Sequence, residues 1–109
     1  MPTYTPVRMY IDQVPNSETT LYTVPGATSA LLKEINIANV TGSPVTFQLS
    51  VVPSGDTAGA DNRIIPSTSI PANSKVYYAF VTAMETGDFL SAIAGTASAL
   101  TVEISGVTF

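Results

Sequence analysis

Leu100-Thr101-Val102-Glu103-Ile104-Ser105-Gly106-Val107-Thr108-Phe109 decides the fold class. Leu100, Val102 and Ile104 fall on one side of an extended chain and Thr101, Glu103 and Ser105 on the other, the period of two that a half-buried β-strand requires. Gly106 breaks the run and marks a bulge or a close approach of backbone. Just upstream, the chain from Met84 reads as turn (Glu85-Thr86-Gly87-Asp88), strand (Phe89 to Ala94) and loop (Gly95 to Ala99), with Phe89, Leu90 and Ile93 offered to a core. At that turn Gly87 suits φ > 0, and the Asp88 carboxylate can accept nearby backbone N–H groups. The two strands together read as one supersecondary unit, to which the earlier segments supply packing partners.

The same period recurs further up the chain. Val45, Phe47, Leu49 and Val51 alternate with Thr46, Gln48, Ser50 and Val52, and Pro53 ends the run. The turn cluster Val40-Thr41-Gly42-Ser43-Pro44 predicts an antiparallel hairpin between this strand and the one before it, Ser29 to Asn39. There Leu31, Ile35 and Ile37 are expected inside, which places Lys33 on the core side. Either a bulge between Leu32 and Ile35 resets the phase, or Lys33 extends its stem to water. Thr20 to Val24 is a short strand closed by a type II turn at Pro25-Gly26. Arg63 to Ile65 is another short strand. In Lys75 to Val81, Val76, Tyr78 and Phe80 share the inner face and Tyr77 points out. Pro25, Pro44, Pro53, Pro66 and Pro71 are all expected between strands, where no ladder N–H is lost. The expectation is an all-β chain: a single antiparallel β-sandwich of roughly eight strands, jelly-roll-like, spanning residues 20–109, with an extended N-terminal arm at 1–19.

The composition narrows the chemistry. The 109 residues contain no Cys, His or Trp. That removes disulfides, thiolate chemistry, the commonest metal ligand and the commonest general base near neutral pH. Phosphate loops, dinucleotide fingerprints and nucleophile elbows are missing as well. Lys33 lacks a partner acid or cofactor motif that would make it catalytic. Glu85 with Asp88 is the one carboxylate pair that could serve sugar hydrolysis, and turn chemistry explains it better. Asp56, Asp61 and Asn62 could offer oxygens to calcium, but their spacing is not that of an EF-hand. No enzyme, cofactor or metal is expected. Net charge is −4, and the four basic residues are scattered, which argues against nucleic acid. Only 11% of residues are charged while 45% are hydrophobic. A sparsely charged, Ser/Thr-rich surface of this kind suits a subunit packed against neighbours. No signal-peptide pattern or membrane-length apolar run is visible.

Two segments are expected to meet a partner. The arm, interrupted by Pro2, Pro6 and Pro15, presents Tyr4, Val7, Arg8, Met9 and Tyr10. Its Val7 to Ile11 portion either adds a strand to a neighbouring subunit or folds back as an edge strand on its own sheet. The second is the polar excursion Ser54 to Asn62 with the adjoining Arg63, expected as an exposed loop. Tyr77 is a third, isolated contact candidate.

The pieces Leu21-Tyr22-Thr23-Val24-Pro25, Ile35-Asn36-Ile37-Ala38-Asn39 with Gly42-Ser43, Ile70-Pro71-Ala72-Asn73-Ser74, Gly87-Asp88-Phe89-Leu90-Ser91-Ala92 and Val102-Glu103-Ile104-Ser105-Gly106-Val107, in this order, resemble small β-sandwich structural proteins of tailed bacteriophages. The resemblance covers about residues 20 to 109. It implies a non-enzymatic virion component assembled in the host cytoplasm, foremost a capsid decoration (cement) protein, with a tail, fibre or adsorption-apparatus subunit as the alternative. The implied partners are further copies of the chain, as a trimer at three-fold sites of a shell or a ring in a tail, and other virion proteins such as the major capsid protein. A receptor or carbohydrate-binding module, with Tyr22, Tyr77 and the 56–62 loop lining a shallow site, is a further alternative.

Overall fold

The computed structural model describes residues 3–109, and the first two residues of the expected arm lie outside them. Eight strands follow one another: β1 (Thr5–Gln13), β2 (Thr19–Thr23), β3 (Ala30–Asn39), β4 (Val45–Val52), β5 (Arg63–Ile70), β6 (Lys75–Met84), β7 (Phe89–Ala94) and β8 (Leu100–Thr108). They form two antiparallel four-stranded sheets, ordered β1-β8-β3-β6 and β2-β7-β4-β5. Successive strands change sheet at every step except β4 to β5, so the chain winds as a jelly roll, the sandwich in which two Greek keys share one core.

That winding corrects two sequence expectations. β3 and β4 do not form a hairpin: β3 lies between β8 and β6, and β4 between β7 and β5. The Val40–Pro44 turn carries the chain across the roughly 10 Å between sheets. Likewise β7 and β8 are not paired with each other; each is a central strand of its own sheet. The closing stretch of the chain therefore organises both sheets at once.

The core lies between the inner faces. Leu32, Ile35, Ile37, Leu100, Val102 and Ile104 meet Phe47, Leu49, Ile65, Ile70 and Leu90. In β7 the inward residues are Leu90, Ala92 and Ala94, whereas Ile93 is only half-buried and pairs with Gln48 on the other face. Leu32, not Leu31, faces the core, because the ladder slips between Leu32 and Glu34 and leaves Lys33 exposed. The bulge alternative for Lys33 is thus the one adopted: the extra residue flips the phase so that Leu32 and Ile35 both point inward. A second slip lies across β8, between Arg8 and Tyr10 of β1. Both fall beside Gly106, whose partners are Val7 and Leu32.

Two smaller corrections concern turns and prolines. β5 runs on to Ile70, so Pro66 lies inside a strand. β5 is an edge strand with an irregular register against β4, a position where a missing N–H is tolerated. After Pro25-Gly26 the positive φ falls on Ala27 (56°) and not on the glycine. Gly87, at φ 88°, takes the conformation its turn requires.

Candidate functional site

The ten residues expected to meet a partner are spread over three places. Residues 5–13 are not a free arm: β1 pairs with β8 from Thr5↔Thr108 to Gln13↔Thr101. Met9 is buried at 5% exposure and belongs to the core. Met9 follows Val7 on the core side by simple alternation, and the bulge beside it brings Tyr10 to that side as well. Val7 and Tyr10 are half-buried against the same core. The Tyr10 hydroxyl donates to the Gln13 carbonyl at 3.2 Å, and burial, followed by the nearby Asp12 charge, pushes its pKa up. Arg8 and Tyr4 are exposed, and the Tyr4 ring lies 4.9 Å from that of Phe109.

The 54–62 loop is organised from within. Asn62 accepts from Gly59 N at 3.0 Å through Oδ1, donates to the Thr57 carbonyl at 2.9 Å through Nδ2, and its own carbonyl accepts from Val51 N. Its side chain therefore holds the loop. Asp56 caps Thr57 N at 2.9 Å, and Asp61 is exposed. Among the described residues no group of acidic side chains is placed to hold a metal ion, and no pocket is present.

Arg63 is also engaged inside the chain. Its guanidinium forms a forked pair with Glu18, at 2.9 and 3.2 Å, and Ser91 Oγ donates to the same carboxylate at 2.8 Å. Glu18, in the β1–β2 connection, thereby ties the N-terminal segment to β5 and β7 across the second sheet. Ser50, paired with Ser91 on one side and Arg63 on the other, is fully buried with its hydroxyl unbonded. The Arg63 hydrogen bond, outweighing burial, holds the Glu18 carboxyl below its usual range. A depressed carboxyl stabilises the fold above its unfolded pKa and loses that contribution as pH falls through the folded one. Glu18→Gln is expected to destabilise by about 1 kcal/mol at pH 7, with the difference from the parent fading below roughly pH 4. Urea unfolding at both pH values measures it.

Tyr77 is 53% exposed on β6, at the far edge of the first sheet from β1. Three strand spacings, roughly 14 Å, separate it from the N-terminal candidates. Its hydroxyl donates to Glu34 at 3.1 Å, and that bond, more than burial, raises its pKa. Beside it Asn36 donates to Glu103 at 3.1 Å, and Ser105 donates to the same carboxylate. Side chains of β6, β3 and β8 thus satisfy one another across the outer face. Tyr22 stands on β2, an edge of the second sheet, so Tyr22, Tyr77 and the 56–62 loop do not share a face. Asp88, the other half of the supposed acid pair, accepts from Glu85 N at 2.9 Å and Ser54 N at 3.0 Å. Both its oxygens hold backbone and serve the turn.

What the fold leaves open is a set of strand edges, and they are unequal. β1 carries Pro6, a bulge, Arg8 and Asp12; β2 has five residues and an irregular register; β5 carries Pro66. Such features blunt an edge against pairing. β6 too shifts register, against β3 between Ala79 and Thr82, but it has ten residues, no proline, and one charge, Lys75, at its start. Sequence could not single it out, because nothing local to Lys75–Met84 says that no strand lies beyond it.

The sequence matches no family model and no curated relative. Solved structures do share its fold. The chain is similar to a protein in the structure of infectious bursal disease virus Gx strain (TM-score 0.58, 10% identity, 99% of this chain and 33% of that one). It is similar to the tobacco streak virus coat protein, solved as a dimer (0.52, 11% identity, 99% and 86%). It is also similar to a Bacillus endospore appendage protein described as forming disulfide-linked pili (0.50, 14% identity, 99% and 90%). The chain spans about a third of the first protein and most of the other two. At these identities the finding concerns the fold: an eight-stranded jelly roll.

Proposed function

We propose that this chain is a non-enzymatic structural subunit of a bacteriophage virion, a decoration (cement) protein that binds neighbouring subunits on the capsid lattice. The observation that carries this reading is a jelly roll with nothing built into it. Its described residues form no pocket and no metal cluster, and the Asp56 and Asp88 carboxylates accept backbone N–H groups at turns. What remains for recognition is edges, loop tips and a sparsely charged surface, the equipment of a subunit that meets other subunits. The likeness to a viral coat protein over 86% of that protein's length supports the reading. So does the phage resemblance of the sequence. The pilus-like alternative, assembly as in the Bacillus appendage, is weakened because this chain has no cysteine to link.

A cement protein adds contacts that exist only in the assembled shell, and so stabilises it by mass action. Particles produced without this chain are expected to assemble and then to release their DNA at lower temperature, with adding back the purified protein restoring the parent midpoint. Unchanged heat resistance in its absence would overturn the decoration role. Failure to form tails would instead assign the chain to the tail, fibre or adsorption apparatus.

A further inference from the structure

The open edge of β6 is the largest backbone surface the fold leaves unpaired, and its geometry can be worked out. Asn39 N donates to the Ser74 carbonyl at 2.8 Å, and the pairs Ile37↔Val76 and Ile35↔Tyr78 continue that register. Hydrogen-bonded and non-bonded pairs alternate along an antiparallel ladder. Val76 and Tyr78 therefore turn their N–H and C=O groups toward β3, while Lys75, Tyr77 and Ala79 turn theirs to the open edge. The alternation of exposed and half-buried positions runs unbroken to Ala83, which adds Val81 and Ala83 to the row. The side chains of these five residues all lie on the outer face.

We propose that a second copy of the chain pairs here, β6 against β6 antiparallel, about a two-fold axis through Ala79. This register sets Lys75 opposite Ala83, Tyr77 opposite Val81 and Ala79 opposite itself, and it engages all five open residues of each copy. On the inner face it sets Tyr78 opposite Phe80 and Val76 opposite Thr82, completing the cover of Val76, Tyr78 and Phe80, which are only half-buried in one copy. Aromatic pairs and aromatic–β-branched pairs are the favourable cross-strand combinations. The only charge of the strand, Lys75, ends roughly 27 Å from its counterpart, so no like charges oppose. Two first sheets thereby join into one continuous eight-stranded sheet, an isologous contact of the kind closed dimers use. The inference rests on the assembling role proposed above and names one contact that performs it.

The chain has no native cysteine, which makes the register directly testable. Facing residues of a hydrogen-bonded pair have Cα atoms about 5.5 Å apart, within disulfide reach. Under mild oxidation Ala79→Cys is expected to give a covalent dimer and Val81→Cys none, because two Val81 residues lie roughly 14 Å apart in this register. In light scattering the parent is expected to be dimeric. Ala79→Pro, which removes an edge N–H that no internal bond uses, and Val81→Lys are both expected to stay folded by circular dichroism and to dimerise at least roughly tenfold more weakly. A monomeric parent, a dimer indifferent to both β6 substitutions, or cross-linking at Val81→Cys in place of Ala79→Cys would overturn the contact. None of these results touches the particle role, which stands or falls on whether the chain is found in virions.

Discussion

Gly106→Ala is expected to destabilise the chain by about 3 kcal/mol, the upper range for overpacking, lowering the thermal midpoint by roughly 15 °C. The position needs glycine for space and not for its backbone angle, since its φ is not positive. A Cβ there would stand 2.1 Å from the Leu31 carbonyl oxygen and 2.7 Å from Met9 Cε. The methionine tip can move aside. The carbonyl cannot, because it belongs to β3, which is held between β8 and β6. The strand itself must shift, at the place where β1 and β3 already depart from regular pairing beside β8. Gly26→Ala and Gly42→Ala, with nothing within 4 Å of the added carbon, are expected to unfold within about 0.5 kcal/mol of the parent. Thermal and urea unfolding of the three variants measures the contrast.

Asn39→Leu, similar in size, is expected to cost about 3 kcal/mol through lost hydrogen bonds alone. Asn39 is buried at 3% exposure, and its amide uses its full capacity. Nδ2 donates to the Ser43 carbonyl at 2.8 Å and the Ile70 carbonyl at 3.0 Å, while Oδ1 accepts from Thr41 N at 2.9 Å and Thr41 Oγ1 at 2.8 Å. One side chain thus ties the crossing from β3 to β4 to the end of β5. Leucine would leave the Ile70 carbonyl without its partner in a region water does not reach. Faster hydrogen exchange at the Thr41 amide, together with the loss of stability, is the expected pattern. Exchange unchanged from the parent would mean the amide does not hold this corner.

How far the sequence carries can be followed through particular residues. The strands with clean alternation, Val45–Val52 and Leu100–Thr108, are where it placed them, because a period of two in a half-buried strand is a local property. The turn at Gly87 and Asp88 is equally local, and the close approach at Gly106 is announced by a glycine inside an apolar run. Which strands pair is not local. The Val40–Pro44 segment has the composition of a hairpin, yet it crosses between sheets, and only the competition of all eight strands for one core decides that. Leu32 turns inward, and Tyr10 joins Met9 on the core side, through bulges that shift the phase by one residue, which a strict period misassigns or leaves open. Asn39 looks like any residue before a turn until Ile70, 31 positions away, arrives beside it. The surroundings of the expected partner residues are equally non-local. Exposed-looking polar residues such as Asn62 and Arg63 are spent on the chain's own loop and on Glu18, and the open edge on β6 exists only by virtue of its place in the sheet.

A density map of intact particles, purified from the source that encodes this chain, tests the account most directly. Symmetry-related copies of a sandwich ordered β1-β8-β3-β6 over β2-β7-β4-β5 are expected on the outside of the capsid. A map in which no such density occurs, with the chain found only in the soluble fraction, would contradict it.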